Sequence, residues 1–435
     1  MCPVDLRGGG QGRYACVAVW SRLTVGGCML LRDYLTLEDL SVADQVVLLR
    51  GDLNVPVKDG IITDRTRLER LQPTIQYLVG RGAKIAILSH FGRPDGKPMP
   101  EFSLRPVAEE LGKLLGAEVT FAADCIGPEA EAAIMKLQPG GIVVLENTRF
   151  HPGEEANDQE FAAQLAKLGT MVVMDAFSAA HRAHASTAAL LALLPAAAGR
   201  LMQAELEALD RALGSPQRPV AAIVGGAKVS SKLGVLTHLL DKVDILVLGG
   251  GMANTFLAAQ GIGIGRSLYE ADMLPTARAI METAQQRGCR LVLPQDVVVA
   301  AELQAGAPFA TVAADRVPAA QMILDIGPQS AAEIVEVLSK CRTIVWNGPM
   351  GVFEIPPFDR GTRDIALAVA ALTQQQNVVS VAGGGETVAA LAATGQTGNL
   401  TYVSMAGGAF LEWLEGKELP GVTALKLAKQ RAQGK

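Results

Sequence analysis

Val46-Val47-Leu48-Leu49-Arg50-Gly51-Asp52-Leu53-Asn54 is a short apolar run that ends abruptly in charge. A run of this length, too short for a helix and bounded by polar residues, reads as a buried strand. Runs of the same form recur at residues 84–90, 117–122, 141–147 and 171–177. Between them, residues 65–79, 104–115 and 158–168 place apolar side chains at three-and-four spacing. Strands alternating with amphipathic helices predict a parallel sheet with crossover helices. The second half repeats the plan, with strands expected at residues 220–225, 245–249, 291–294, 343–347, 378–382 and 402–405. That many alternations exceed one doubly wound sheet, so the fold class is α/β with two domains, each a parallel sheet flanked by helices. The join falls near Pro195, and residues 201–213 read as one helix bridging the halves.

Composition agrees with this plan and narrows the partners. A chain of 435 residues, at roughly 150 residues per domain, holds two to three domains. The formal net charge is −5, from 44 acidic and 39 basic residues with no basic run, which argues against a nucleic-acid groove or a polybasic membrane anchor. No segment approaches the roughly 20 apolar residues of a spanning helix, so a soluble protein without a membrane partner is expected. The six cysteines, at 2, 16, 28, 125, 289 and 341, include no Cys-x-x-Cys pair. They fit isolated thiols in a reducing compartment, and the cytoplasm is the expected location.

Residues 1–32 form a tail unlike the remainder, with periodicity broken by Gly8, Gly9, Gly10, Gly12, Gly26 and Gly27. It reads as a disordered extension, or as a start assigned too early with Met29 as initiator. A signal peptide is a third reading, with Val25-Gly26-Gly27-Cys28 as a lipoprotein-like site; Arg22 in the apolar region and Asp5 in the leader argue against it.

Ligands of open α/β sheets bind beyond the carboxyl ends of the strands. In the first half those ends carry Arg50 to Asn54, Ser89-His90-Phe91-Gly92-Arg93-Pro94, Glu146 through Arg149 to His151, and Asp175 through His181-Arg182 to His184. Every one of these segments holds an arginine, and four of the five histidines of the chain lie among them. Converging guanidinium forks suit a compact ligand with several anionic groups. His181 and His184, near Asp175 and His90, could alternatively hold a metal ion.

The second half ends its strands in glycine: Gly225-Gly226-Ala227-Lys228, Gly249-Gly250-Gly251, Asn347-Gly348-Pro349, Gly383-Gly384-Gly385-Glu386-Thr387 and Gly407-Gly408. Such loops let backbone N–H groups and helix amino termini face nucleotide phosphates, and each pair alone is also explained by a tight turn. Lys228 and Lys232, four apart, would place two ammonium groups on one helix face. Walker A, H-R-D and D-F-G sequences are absent. Gly261-Ile262-Gly263-Ile264-Gly265 follows a helix and reads as a loop. An anion domain facing a nucleotide domain points to phosphoryl transfer between two bound ligands, with closure keeping water out.

These loops, in order and spacing, resemble the phosphoglycerate kinase family. The likeness rests on Arg50-Gly51-Asp52-Leu53-Asn54-Val55-Pro56, Ser89-His90-Phe91-Gly92-Arg93-Pro94-Asp95-Gly96 and Leu145-Glu146-Asn147-Thr148-Arg149-Phe150. It continues through Asp175-Ala176-Phe177 with His181-Arg182-Ala183-His184, Gly225-Gly226-Ala227-Lys228-Val229-Ser230 with Lys232, and Trp346-Asn347-Gly348-Pro349 with Gly351-Val352-Phe353-Glu354. The resemblance implies two Rossmann-like lobes joined by a hinge helix: a glycerate-substrate domain at 33–200, a nucleotide-binding domain at 201–415, and a segment at 416–435 returning to the first. It implies reversible phosphoryl transfer between 1,3-bisphosphoglycerate and ADP, giving 3-phosphoglycerate and ATP, with Mg2+ bound to the nucleotide, no organic prosthetic group, and a monomer.

By motif position, the resemblance assigns the glycerate substrate to Asp52, Leu53, Asn54, Arg67, His90, Phe91, Gly92, Arg93, Arg149 and Arg182. It puts Arg67 and Lys228 beside the moving phosphoryl group and Lys232 on the nucleotide phosphates, these three being the catalytic cations. Glu354 would face the ribose, and Gly384, Gly385, Glu386 and Thr387 would turn over the phosphates and metal. Three departures stand out. Gly51 replaces the usual Val, which would loosen the strand entering the substrate loop. Glu386 replaces Asp, which leaves its metal role the least secure, and Ser404-Met405-Ala406-Gly407-Gly408 replaces Ser-Thr-Gly-Gly-Gly. A two-lobed solute-binding protein and a metal-dependent hydrolase built on His90, His181, His184 and Asp175 are the competing readings.

Overall fold

The computed structural model describes residues 32–434; the expectations for residues 1–31 lie outside them. The first sheet has six parallel strands in the order Val119–Ala122, Ile142–Leu145, Lys84–Leu88, Val46–Gly51, Met171–Asp175, Ala196–Ala198. Val46–Gly51 is central because both of its faces are apolar. Val47 and Leu49 pack with Leu68, Leu71, Ile75 and Leu78 of the Thr66–Val79 helix, and Leu48 faces the opposite core. Chain order reverses between Val46–Gly51 and Met171–Asp175, so the crevice beyond these two strands is the topological switch point where ligands bind.

The second sheet is again parallel, ordered Arg290–Val292, Ile245–Leu248, Val220–Val224, Thr343–Asn347, Val379–Gly383, Tyr402–Ser404. Its switch point lies beyond Val220–Val224 and Thr343–Asn347, where Gly225 and Gly348 follow. The helix Arg200–Leu209, continued by a wider turn over Asp210–Gly214, connects the lobes. The fold is therefore α/β with two Rossmann-like lobes, each a parallel sheet flanked by helices. Among the described residues no helix is long and apolar enough to cross a membrane.

Several strands were not anticipated, among them the short pair Val57–Lys58 and Ile61–Ile62. Ala196–Ala198 pairs with Val172–Met174 although three alanines carry no alternation. A three-stranded antiparallel sheet, Phe309–Ala313, Asp296–Ala300 and Met322–Ile326, interrupts the second lobe. Asp296–Ala300 starts too soon after Arg290–Val292 for an intervening helix, so an alternating strand-and-helix pattern has no place for it. The closing helix Pro420–Ala432 packs on the first lobe, with Gly421 N–H donating to Ala180 O at 2.9 Å and Arg431 Nη2 to Leu191 O at 2.5 Å.

Gly51 does not loosen its strand. The ladder continues through it, with Gly51 opposite Asp175. A Cβ at this position would lie 2.7 Å from Leu71 Cδ2 and 3.6 Å from Ile87 Cγ2, so Leu71 fills the volume a larger residue would occupy. Gly51→Val should lower the urea midpoint by the equivalent of about 1–3 kcal/mol through overpacking. Its cost should shrink in a Leu71→Ala background. An unchanged midpoint for Gly51→Val, or an equal cost in both backgrounds, would contradict this packing account.

Candidate active site

At the first switch point a cavity of about 350 Å³ is lined by Asn54, Arg67, His90, Arg93, Arg149 and Arg182, together with His181, His184 and residues 405–408. Its floor is built around Arg50, which is fully buried. Arg50 Nε donates to Ser186 Oγ at 2.8 Å, Nη1 to Gly51 O at 2.5 Å, and Nη2 meets His90 Nδ1 at 2.9 Å. Ser186 passes the interaction on, its Oγ donating to Glu154 Oε1 at 2.5 Å and its N–H to Oε2 at 3.0 Å. Burial pushes the Arg50 pKa down, while the charges of Glu154 and Asp52 push it up. A guanidinium has no acceptor, so its partner Nδ1 of His90 accepts and the ring proton sits on Nε2. Burial first, then the charges of Arg50 and Arg149, hold the His90 pKa well below the ordinary histidine value. The ring is a neutral N–H donor on the wall of an anion-sized cavity.

Asp52 does not line this cavity; it orients Arg67. Arg67 Nη1 donates to Asp52 Oδ1 at 2.9 Å and Oδ2 at 2.8 Å, and Ser178 Oγ donates to Oδ2 at 2.5 Å. Nη2 and Nε of Arg67 make no bond to Asp52, which leaves guanidinium donors for a ligand. Arg149 is almost fully buried; its Nη1 donates to Gly92 O at 2.7 Å and its Nε lies 3.0 Å from Glu155 Oε1. Gly92 has φ +60°, and a Cβ there would collide with the Phe102 ring. Its N–H donates to Asn54 Oδ1 at 3.0 Å. Arg182 Nε donates to His181 Nε2 at 3.2 Å, and Arg93 is exposed at the rim.

Leu53 and Phe91 are core residues rather than lining ones, buried to 0% and 8% exposure. Their contribution is backbone: Leu53 N–H donates to Ser89 Oγ at 2.9 Å, and Phe91 is clasped by Asn147, which accepts from its N–H at 3.1 Å and donates to its carbonyl at 2.6 Å. The hydrolase-like metal set does not assemble, because Asp175 is buried elsewhere, accepting from Met202 N–H at 2.9 Å at the start of the Arg200–Leu209 helix. His151 also lies outside the cavity lining. Glu154, Ser186 and Ser178 belong to the site and were not singled out from the sequence, whereas Met405, one of the departures noted there, lines the cavity.

On the second lobe, Lys232 is folded under the strand ends, its Nζ donating to Gly225 O at 2.7 Å and Asn347 O at 3.0 Å. Desolvation lowers its pKa to about 8, against the opposing charge of Glu386. Lys228 and Lys232 do not share a helix face: Ser230–Lys232 is a 3-10 turn, the helix starts only at Leu233, and Lys228 is exposed. The glycines serve close backbone approach. Gly348 has φ +106°, and its Cβ would lie 2.6 Å from Lys232 Nζ, while a Cβ on Gly225 would collide with Pro349 O. Thr387 Oγ1 accepts from Gly348 N–H at 2.7 Å. Gly384 and Gly385 precede Glu386 in the first turn of Gly385–Ala393, with open space above Gly385. Glu354 is exposed on the loop after Gly351.

Comparison with known proteins adds an independent finding. Residues 37–417 match the family model for phosphoglycerate kinase. A phosphoglycerate kinase of Rhodospirillum centenum is 60% identical over 390 residues, covering 90% of this chain and 98% of that protein. One of Granulibacter bethesdensis is 57% identical over 394 residues, covering 91% and 100%. The solved phosphoglycerate kinase from Coxiella burnetii superposes with a TM-score of 0.85 at 46% identity, over 92% of this chain and all 100% of that one. For that of Pyrococcus horikoshii the values are 0.77 and 33%, over 91% and 99%.

The electrostatics of the basin set a pH dependence. Burial, followed by Arg149 and Arg50, lowers the His184 pKa to about 4, against about 6.5 in an unfolded chain. Between these values the unfolded chain binds more protons, so this group favours folding above pH ~6.5 and that contribution is lost as pH falls toward about 4. His184→Gln should therefore flatten the acid limb of the stability profile relative to the parent chain. An identical acid slope in both would remove His184 as its source.

Proposed function

Because the chain belongs to the phosphoglycerate kinase family, we propose that the arginine basin takes 3-phosphoglycerate or 1,3-bisphosphoglycerate and the glycine loops of the second lobe take ATP or ADP. The activity is that of the family, phosphotransfer with a carboxyl group as acceptor in glycolysis. The observation that carries the ligand assignment is a cavity walled by Arg67, Arg149, Arg182 and the neutral donor His90, chemistry suited to phosphate and carboxylate together. The domains are correspondingly proposed as 33–200 for the glycerate substrate and 201–415 for the nucleotide, with 416–435 as the returning segment.

Asn54, His90, Arg93, Arg149 and Arg182 hold the substrate in this reading, with Asp52, Leu53, Phe91 and Gly92 shaping the loops beneath it. The acceptor carboxylate is already ionised near pH 7, so no general base is needed. Catalysis reduces to in-line positioning and neutralisation of charge on the transferring group. Arg67, aimed by Asp52, supplies one cation from the first lobe. Lys232 supplies the second at the nucleotide phosphates. Exposed Lys228 supplies a third when the lobes close. Glu354 faces the ribose, and Gly384, Gly385 and Thr387 shape the phosphate turn.

Glu386 would hold Mg2+ carried in on the nucleotide, and the ion would supply charge neutralisation at the phosphate oxygens. The site fits a hard cation, because Glu386 offers carboxylate oxygens at the open head of a helix beside Gly226. The longer Glu side chain also serves as the countercharge of Lys232. A monomer in the cytoplasm, without nucleic-acid, membrane or prosthetic-group partners, completes the proposal.

ADP formation should require ATP, 3-phosphoglycerate and Mg2+ together, and chelation with EDTA should abolish it. Turnover independent of 3-phosphoglycerate would overturn the assignment. Arg67→Ala should lower kcat by about 10²–10³-fold, the cost of removing one preorganised transition-state donor, with the fold intact by circular dichroism; full activity would remove Arg67 from the mechanism. Deprotonation of Lys232 predicts that kcat/KM for the nucleotide falls as pH rises through about 8. A flat profile to pH 10 would show that its charge is not used.

A further inference from the structure

The edge strand Val119–Ala122 of the first sheet and its neighbour Ile142–Leu145 run parallel with Ala122 opposite Leu145, so the loops leaving them lie side by side. One loop carries Asp124 and Cys125, and the other carries His151. Among the described residues these three form the one group whose carboxylate, thiol and imidazole ligand atoms all lie within 4.8 Å of one another. None of them lines the arginine cavity.

The imidazole and the carboxylate are oriented by their neighbours. His151 Nε2 lies 2.7 Å from Asp124 Oδ1, and its ring stacks on Phe161 with centroids 5.1 Å apart. Asp124 Oδ1 also accepts from Cys125 N–H at 2.6 Å, which fixes the carboxylate over its own turn. Cys125 is fully buried, whereas the side chains of Asp124 and His151 are 41% and 28% exposed, so the group opens to solvent on one side.

We propose that Asp124, Cys125 and His151 bind one zinc-class divalent ion, with water as the fourth ligand. Tetrahedral bonds of ~2.0–2.3 Å set two donors of one ion about 3.3–3.8 Å apart, and donors already within 4.8 Å of one another reach that geometry by side-chain shifts of about an ångström. A sulfur and nitrogen donor pair favours Zn2+ over Mg2+, which prefers an all-oxygen shell. Three protein ligands and one open position is a recurrent zinc geometry. On binding, the Cys125 thiol releases its proton to solvent, and His151 gives up the Nε2 proton that it donates to Asp124, the neutral ring then carrying its proton on Nδ1 while Nε2 takes the metal. The ion adds a cross-link between two loops already joined by the His151–Asp124 contact.

Cobalt(II) is a direct probe, because a bound thiolate gives a charge-transfer band and four-coordination gives intense d–d bands. The full-length chain with Cys2, Cys16 and Cys28 changed to serine, stripped of metal, should develop both with one equivalent of Co2+ and lose both to one equivalent of Zn2+. Cys125→Ser should abolish the charge-transfer band and Cys289→Ser should leave it. Losing even a residue that only hydrogen-bonds to a metal ligand weakens metal sites ~10–100-fold, so His151→Ala, which keeps Cys125 in place, should weaken Co2+ binding at least about 10-fold. A folded protein with no charge-transfer band, a band that survives Cys125→Ser, or unchanged affinity in His151→Ala would overturn the proposal.

Discussion

The first lobe is organised by a single buried positive charge. Arg50 lies one residue before the end of the central strand with no carboxylate ion-paired to it, and its charge is met through Ser186 and Glu154 and by the nearby Asp52. A cation taken out of water is tolerated only when its donors are satisfied and compensating charge lies close. Satisfying it gathers segments far apart in the chain, since Ser186 lies 136 residues from Arg50 and His90 lies 40. The cavity wall is held in place because Arg50 beneath it is fully buried and bonded to Ser186, to the Gly51 carbonyl and to His90.

The second lobe solves the complementary problem of bringing backbone close to phosphate. Gly225 and Gly348 pack so tightly that a side chain on either would strike the other loop or Lys232. The interlock holds Lys232 against two carbonyls while desolvation brings its pKa to about 8. A lysine poised near neutrality binds a polyanion at small desolvation cost and regains its full charge as the anion arrives.

The strands and helices were legible because their periodicities are local. So were the anion-binding character of the first lobe and the phosphate-binding character of the second, since arginines and glycines recur at strand ends. What local pattern could not separate was Arg50 from Arg67. Both follow or approach the same loop, yet one is scaffold and the other faces the cavity, and only tertiary burial distinguishes them. Glu154 was hidden for the same reason, standing beside Glu155 in Pro152–Glu155 while its partner Ser186 lies 32 residues away. The Lys228 and Lys232 pairing failed because a 3-10 turn broke the assumed helical spacing. Gly51 was misread as a weakness because the filling atoms belong to Leu71, on a different element.

The claim on which this account stands is that buried Arg50 fixes His90 as a neutral ring with its proton on Nε2. Side-chain 15N NMR of the histidines, with the His90 signals assigned by comparison with His90→Gln, reports tautomer and protonation directly. The account predicts the Nε2–H tautomer for His90, unprotonated from pH 8 to well below its ordinary value of 6.5. An Nδ1–H tautomer, or a titration centred near pH 6.5, would contradict it.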